Sequence, residues 1–178
     1  MKRSKISKKF SKKRKQLPAD KLLQKISLTI GARSNIKLAN EVANEVAKYP
    51  NLKELYCSGT QITKLPQNLN KLQILDCSKT EITKLPQNLN NLQILDCSQT
   101  EITKLPQNLN NLQTLYCSQT QITELPPNLN NLQILRCSST KITELPPNLN
   151  NLISLVCSRT LIIPNYIRRK SGIQIHYI

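Results

Sequence analysis

Tryptophan is absent from the 178 residues, phenylalanine occurs once, and aromatics together make up 3% of the chain. A compact globular core normally leans on such side chains, so the apolar weight must be carried otherwise; here it sits in Leu and Ile. Glycine occurs only at positions 31, 59 and 172, which excludes a glycine-rich phosphate loop. The single histidine, His176, stands without a nucleophile–base–orienter set, so the chain reads as non-enzymatic and without a cofactor. No apolar run approaches the length of a membrane span, and the N-terminus has no apolar secretory segment. These absences predict a soluble protein, not secreted by a signal peptide, in a reducing cytoplasmic or nuclear compartment.

What is abundant is positive charge, at a net +16. It is unevenly placed. Residues 1–16 hold nine Lys or Arg and no acid, so that segment carries +9 and the remaining residues +7. A short stretch with so much like charge and so few apolar groups is expected to stay disordered. Lys12, Lys13, Arg14 and Lys15 resemble a nuclear-import signal. The same tail could equally give weak RNA or anionic-surface binding, or be a plain solvated extension.

Six cysteines fall at 57, 77, 97, 117, 137 and 157, a constant spacing of 20. Zinc sites show paired, uneven spacings, and a disulfide framework belongs to small secreted chains. A constant interval instead makes Cys one position of a repeat, and a small, commonly buried residue reads as core packing. Written in register, the units run NLKELYCSGTQITKLPQNLN from Asn51, KLQILDCSKTEITKLPQNLN from Lys71 and NLQILDCSQTEITKLPQNLN from Asn91. NLQTLYCSQTQITELPPNLN from Asn111, NLQILRCSSTKITELPPNLN from Asn131 and a shortened sixth unit from Asn151 complete the series.

Each unit contains a short alternation. In the third, Leu95 and Cys97 share one face while Ile94 and Asp96 share the other, the period of a β-strand. Equivalent strands can pair in parallel, roughly 4.8 Å apart. The segment around Pro106 returns the chain to its start by an extended or 3₁₀ path, because Pro excludes a continuing strand. Leu92, Leu95, Cys97, Ile102, Leu105 and Leu109 form an inward set that only stacking can bury.

The pattern Leu-x-x-Leu-x-Cys-Ser-x-Thr-x-Ile-Thr-x-Leu-Pro-x-Asn-Leu resembles the short, bacterial-type leucine-rich repeat over residues 51–163. Such repeats also occur in host-interacting proteins of intracellular pathogens. The resemblance implies an α/β solenoid, with a parallel sheet on the concave face and turns or 3₁₀ segments on the convex face. It also implies a monomer that binds a protein partner. The family usually places Leu or Val at the Cys positions and Asn at Thr60 and its equivalents, where Asn ladders to neighbouring backbones. A threonine ladder is the corresponding expectation here.

An open stack needs caps. Residues 17–50 predict two helices. The first spans about 20–30, with Leu22, Ile26 and Ile30 on one face; the second spans 35–48, with Ala39, Val42, Ala43 and Val46 at helical spacing. Leu17, Pro18, Leu22, Leu23, Lys25 and Ile26 also resemble the opening of an F-box, which would make the chain a substrate adaptor of a ubiquitin ligase. That motif's later aromatic and cysteine positions are not evident before Pro50. Residues 164–178 are expected to form a C-terminal cap with a last strand at 173–178.

The candidate partner-binding residues are the outward ones, which vary between units while the inward ones hardly change. They are Tyr56, Asp76, Asp96, Tyr116 and Arg136 in one column and Ile74, Ile94 and Ile134 in the next. Glu81 and Glu101 are expected to join Asp76 and Asp96 in one acidic patch. That patch suits a cation-rich partner segment, or the chain's own Lys12–Lys15.

Overall fold

The computed structural model describes residues 25–27, 49 and 51–178. Among these described residues, eight strands form one sheet in sequence order. They are β1 (Lys25–Ser27), β2 (Glu54–Tyr56), β3 (Ile74–Asp76), β4 (Ile94–Asp96), β5 (Thr114–Tyr116), β6 (Ile134–Arg136), β7 (Ser154–Cys157) and β8 (Gln174–Tyr177). Every neighbouring pair is parallel, and from β2 onward the register is 20 residues per step, so Leu55, Leu75, Leu95, Leu115, Leu135, Leu155 and Ile175 are successive partners. The sequence period is thus the pitch of the solenoid.

Inter-unit bonding extends beyond these short strands. Gln93 N donates to Gln73 O at 2.8 Å, Cys97 N to Tyr116 O at 2.9 Å and Gln99 N to Ser118 O at 2.9 Å, and the same bonds recur along the stack. Main-chain donors with no partner inside their own unit find one in a neighbouring unit. The inward set named above is buried through the first five units; in the sixth, Ile162 is exposed and Leu161 and Ile163 are buried instead. One continuous apolar core runs from Leu52 to Ile167.

At the end of each strand the chain turns a corner. Thr100 Oγ1 donates to Cys97 O at 2.7 Å, and Thr60, Thr80, Thr120 and Thr140 do the same within their own units. The threonines therefore close their own corners instead of laddering between units. A hydroxyl three residues past a carbonyl reaches it more easily than it reaches the next turn. The residue before each Thr is left-handed: Gly59 at φ 68°, then Lys79, Gln99, Gln119 and Ser139 at φ 55–58°. Gly59 fits this conformation without a Cβ penalty, whereas the other four do not.

Extended segments return the chain to the next strand, with one i→i+3 turn per unit, such as Leu92 N to Leu89 O at 3.0 Å. Here an asparagine ladder does cross between units. Asn91, Asn111, Asn131 and Asn151 each donate from Nδ2 to the carbonyl 21 residues earlier at 2.7–2.8 Å. Beyond the last Asn, Lys170 takes over, donating from Nζ to Asn150 O and, at 2.7 Å, to Leu152 O.

The sixth unit swaps the Pro-x-Asn-Leu return for a single helical turn, α1 (Asn165–Arg168), whose Ile167 is buried. Tyr166 Oη donates to Pro146 O at 2.7 Å, fixing that turn against the unit before.

At the other end the sequence expectation needs correcting. Lys25–Ser27 is a strand paired with β2, with Ile26 opposite Leu55, and not the middle of a helix over 20–30. The four-residue spacing of Leu22, Ile26 and Ile30 fits a helical face, but four is also a multiple of two and fits a strand equally. The edge of β2 offers unpaired main-chain groups, and these favour a strand. The expected helix over 35–48 and the tail 1–16 lie outside the described residues.

Candidate interaction surface

Alternation along each strand sends Leu95 and its equivalents into the core and leaves two columns on the outer face of the sheet. One column is Glu54, Ile74, Ile94, Thr114, Ile134, Ser154 and Gln174. The other is Tyr56, Asp76, Asp96, Tyr116, Arg136, Val156 and His176. Most are half-buried by their neighbours; Ile94, near the middle, is 37% exposed.

The chemistry changes along the stack. Towards β2–β4 the face is acidic. Asp76 and Asp96 are register partners, and like charges placed directly opposite cost stability. Local bonds offset that cost. Asp76 Oδ1 accepts from Ser78 N at 3.1 Å and Ser78 Oγ at 2.8 Å, and Asp96 Oδ1 accepts from Ser98 N at 2.9 Å. These carboxylates thus serve the corner as well as the surface. Tyr56 Oη donates to Glu54 Oε2 at 3.2 Å. Towards β5–β8 the acids give way to Tyr116, Arg136, Val156 and His176, with the Arg136 guanidinium carbon 5.0 Å from the centre of the Tyr116 ring, a cation–π contact.

The structure brings Tyr56, Ile74, Asp76, Ile94, Asp96, Tyr116, Ile134 and Arg136 onto one face. Glu81 and Glu101 are exposed beyond the corners and belong to neither column. Lys12, Lys13, Arg14 and Lys15 lie outside the described residues. Sequence reasoning missed three features. His176, assigned to a cap, continues the Asp/Arg column. Ser58 and its equivalents form a column of hydroxyls at the strand ends, where Ser58 and Ser78 Oγ lie 2.8 Å apart. The left-handed corner residue was signalled only by Gly59.

All six thiols are free and buried. Burial, reinforced by the Asp76 charge, pushes the Cys57 thiol up to about 12, and burial with the neighbouring Cys157 does the same for Cys137. Burial holds Cys77, Cys97 and Cys117 well above the usual thiol range as well. They are packing groups, not nucleophiles. Among the described residues, no group of three or more His, Cys, Asp or Glu could hold a metal ion. No helix there is long and apolar enough to cross a membrane.

Fold and repeat together define the class: the chain is a leucine-rich-repeat protein with short, bacterial-type repeats. The profile for paired leucine-rich repeats matches residues 50–91, and that for a single leucine-rich repeat matches residues 111–132. Among solved structures it is similar to an internalin, InlF, from Listeria monocytogenes, with a TM-score of 0.70 and 24% identity over 87% of this chain and 46% of that one. It is also similar to the functional domain of InlJ from the same organism, which includes a cysteine ladder, with a TM-score of 0.63 and 24% identity over 87% of this chain and 39% of that one. This chain therefore spans less than half the length of either. No curated protein matches it.

Proposed function

We propose that this chain is a non-enzymatic interaction module that binds a protein partner through the outer face of its sheet. One observation carries the reading. Inward positions are almost invariant from unit to unit, whereas the two outward columns change from Glu54 and Tyr56 through Ile94 and Asp96 to Ile134 and Arg136. Buried positions stay copied while the strands' outward residues differ, so successive strands offer different groups to different parts of one partner. Solenoids use such extended sheets for recognition, and Tyr and Arg among apolar groups are the residue types that anchor interfaces. The partner for β2–β4 would present Lys or Arg beside an apolar group that meets Ile74 and Ile94. The adaptor and nucleic-acid readings gain no support from the described residues, where Lys25 and Ile26 of the F-box-like stretch form a strand.

The test is site-specific photo-crosslinking in cells. A photoreactive residue at position 94 or 116 is expected to give a discrete protein adduct, reduced by Asp76→Asn together with Asp96→Asn. Asn keeps the Oδ1 acceptor for Ser78 and Ser98 while removing the charge. The same probe at Lys104, on the return segment, is expected to give none. Equal adducts from position 104, or an adduct at 94 indifferent to both Asn changes, would place recognition elsewhere.

A further inference from the structure

The repeats act as controls for one another, and two of them have a group that the others lack. At Asp76 and Asp96 a carboxylate oxygen sits at the strand end and accepts from the serine two residues later. In the next three units that place is taken by Tyr116, Arg136 and Val156, none of which brings a carboxylate to Ser118, Ser138 or Ser158. The consequence is visible at Ser138. Its Oγ is buried with no hydrogen-bond partner, and the residue is only 6% exposed. A buried hydroxyl left unsatisfied costs about 1–3 kcal/mol and calls for an explanation.

Two residues before it stands Arg136, exposed on the outer column with its guanidinium over the face of the Tyr116 ring. Ring stacking leaves the planar N–H edge of a guanidinium able to make paired bonds to a carboxylate. Among the described residues, a buried hydroxyl without an acceptor and a cation without an anion therefore stand two residues apart, where the units of β3 and β4 carry a carboxylate of their own.

We propose that Arg136 and Ser138 form a receptor site for a partner's Asp or Glu side chain, with the incoming carboxylate taking the role that Asp76 plays for Ser78. Arg136 supplies the charge and Ser138 Oγ the hydrogen bond. The Tyr116 ring supports the guanidinium from one side. This rests on the outer face being the binding face and adds its polarity: cationic groups of the partner at β3–β4, an anionic one at β5–β6. The partner is then a segment whose charge changes sign along the stack.

The test uses the full chain and a short poly-glutamate peptide, followed by residue-resolved NMR. Saturable shifts are expected at the Ser138 amide and the Arg136 Nε–H. Arg136→Gln is expected to weaken binding about tenfold. Ser138→Ala should weaken it too without lowering stability, because it removes a hydroxyl that the unbound protein leaves unsatisfied. Arg136→Asp should restore the internal acceptor, abolishing peptide binding while raising the melting temperature. The site is overturned if shifts fall only on residues 1–16 or 168–170, or if Arg136→Gln or Arg136→Asp binds as the parent does. It is also overturned if inorganic phosphate perturbs Ser138 as strongly as the peptide, since the pocket would then take any small anion. The probe requires no natural partner, so failure here leaves the crosslinking result standing, and failed crosslinking leaves this one.

Discussion

The stacked thiols should make the solenoid sharply sensitive to alkali. Five of them, Cys57, Cys77, Cys97, Cys117 and Cys137, are covered by the core, and burial raises each far above an exposed thiol. The unfolded chain ionises its thiols near 8.5, while burial keeps Cys57 and Cys137 protonated up to about 12. The folded state then holds more protons throughout that window. Stability contributed by the buried thiols is therefore complete below pH 8.5 and is lost as pH rises towards 12. Each thiol forfeits roughly 1 kcal/mol per pH unit above its unfolded value. By pH 10 Cys57 and Cys137 together remove about 4 kcal/mol, a large part of a typical domain stability of about 5–15 kcal/mol, and Cys77, Cys97 and Cys117 are shifted in the same direction. Circular dichroism and ultraviolet thiolate absorbance, recorded against pH, should change together in one steep transition near pH 10. Replacing Cys97 and Cys117 by Ala should lower the steepness by about two protons, whatever it does to the midpoint. Thiolate absorbance that grows near pH 8.5 while the circular dichroism stays native would refute the reasoning. At pH 8 the same shifts should slow alkylation of Cys57 and Cys137 by about three orders of magnitude relative to the unfolded chain, with Cys157, raised less, reacting first.

The corners give a second expectation: Lys79→Gly, Gln99→Gly, Gln119→Gly and Ser139→Gly should each stabilise by several tenths of a kcal/mol or more in thermal melts, by relieving a left-handed non-glycine. Gly59→Ala should cost about 1 kcal/mol through the backbone alone, because a Cβ there meets nothing within 4 Å. Thr100→Val removes the buried bond to Cys97 O and should cost about 1–3 kcal/mol, while the same change at exposed Thr160 should be close to silent in denaturant titrations. Asn111→Ala, which cuts a bond to the preceding unit, should cost about 1 kcal/mol; no change in its urea midpoint would show the ladder to be ornamental. Asp76→Lys with Asp96→Lys should lower stability as well as binding, since Lys cannot accept from Ser78 or Ser98.

The repeat was legible in the sequence because everything that defines it is local. A 20-residue interval, alternation around Leu95 and a Pro in each return dictate the parallel strands, their register, the inward set and the covered cysteines. They also separate the outward columns, so the candidate face could be named residue by residue. What the sequence could not decide were contacts between units, or between a unit and the ends. Ile26 joins a strand because the edge of β2 is there to receive it, a fact absent from a spacing that suits helix and strand alike. Thr100 bonds its own Cys97 carbonyl, and Asn111 the neighbouring unit, because distances across the stack, not residue type, select the acceptor. His176 enters the outer column only through the register of β8 against β7. Ser138 becomes informative only once its burial and missing acceptor are seen beside Ser78. Hydrogen bonds and burial are properties of pairs and surroundings, and a solenoid supplies these through the next turn of the chain, 20 residues away.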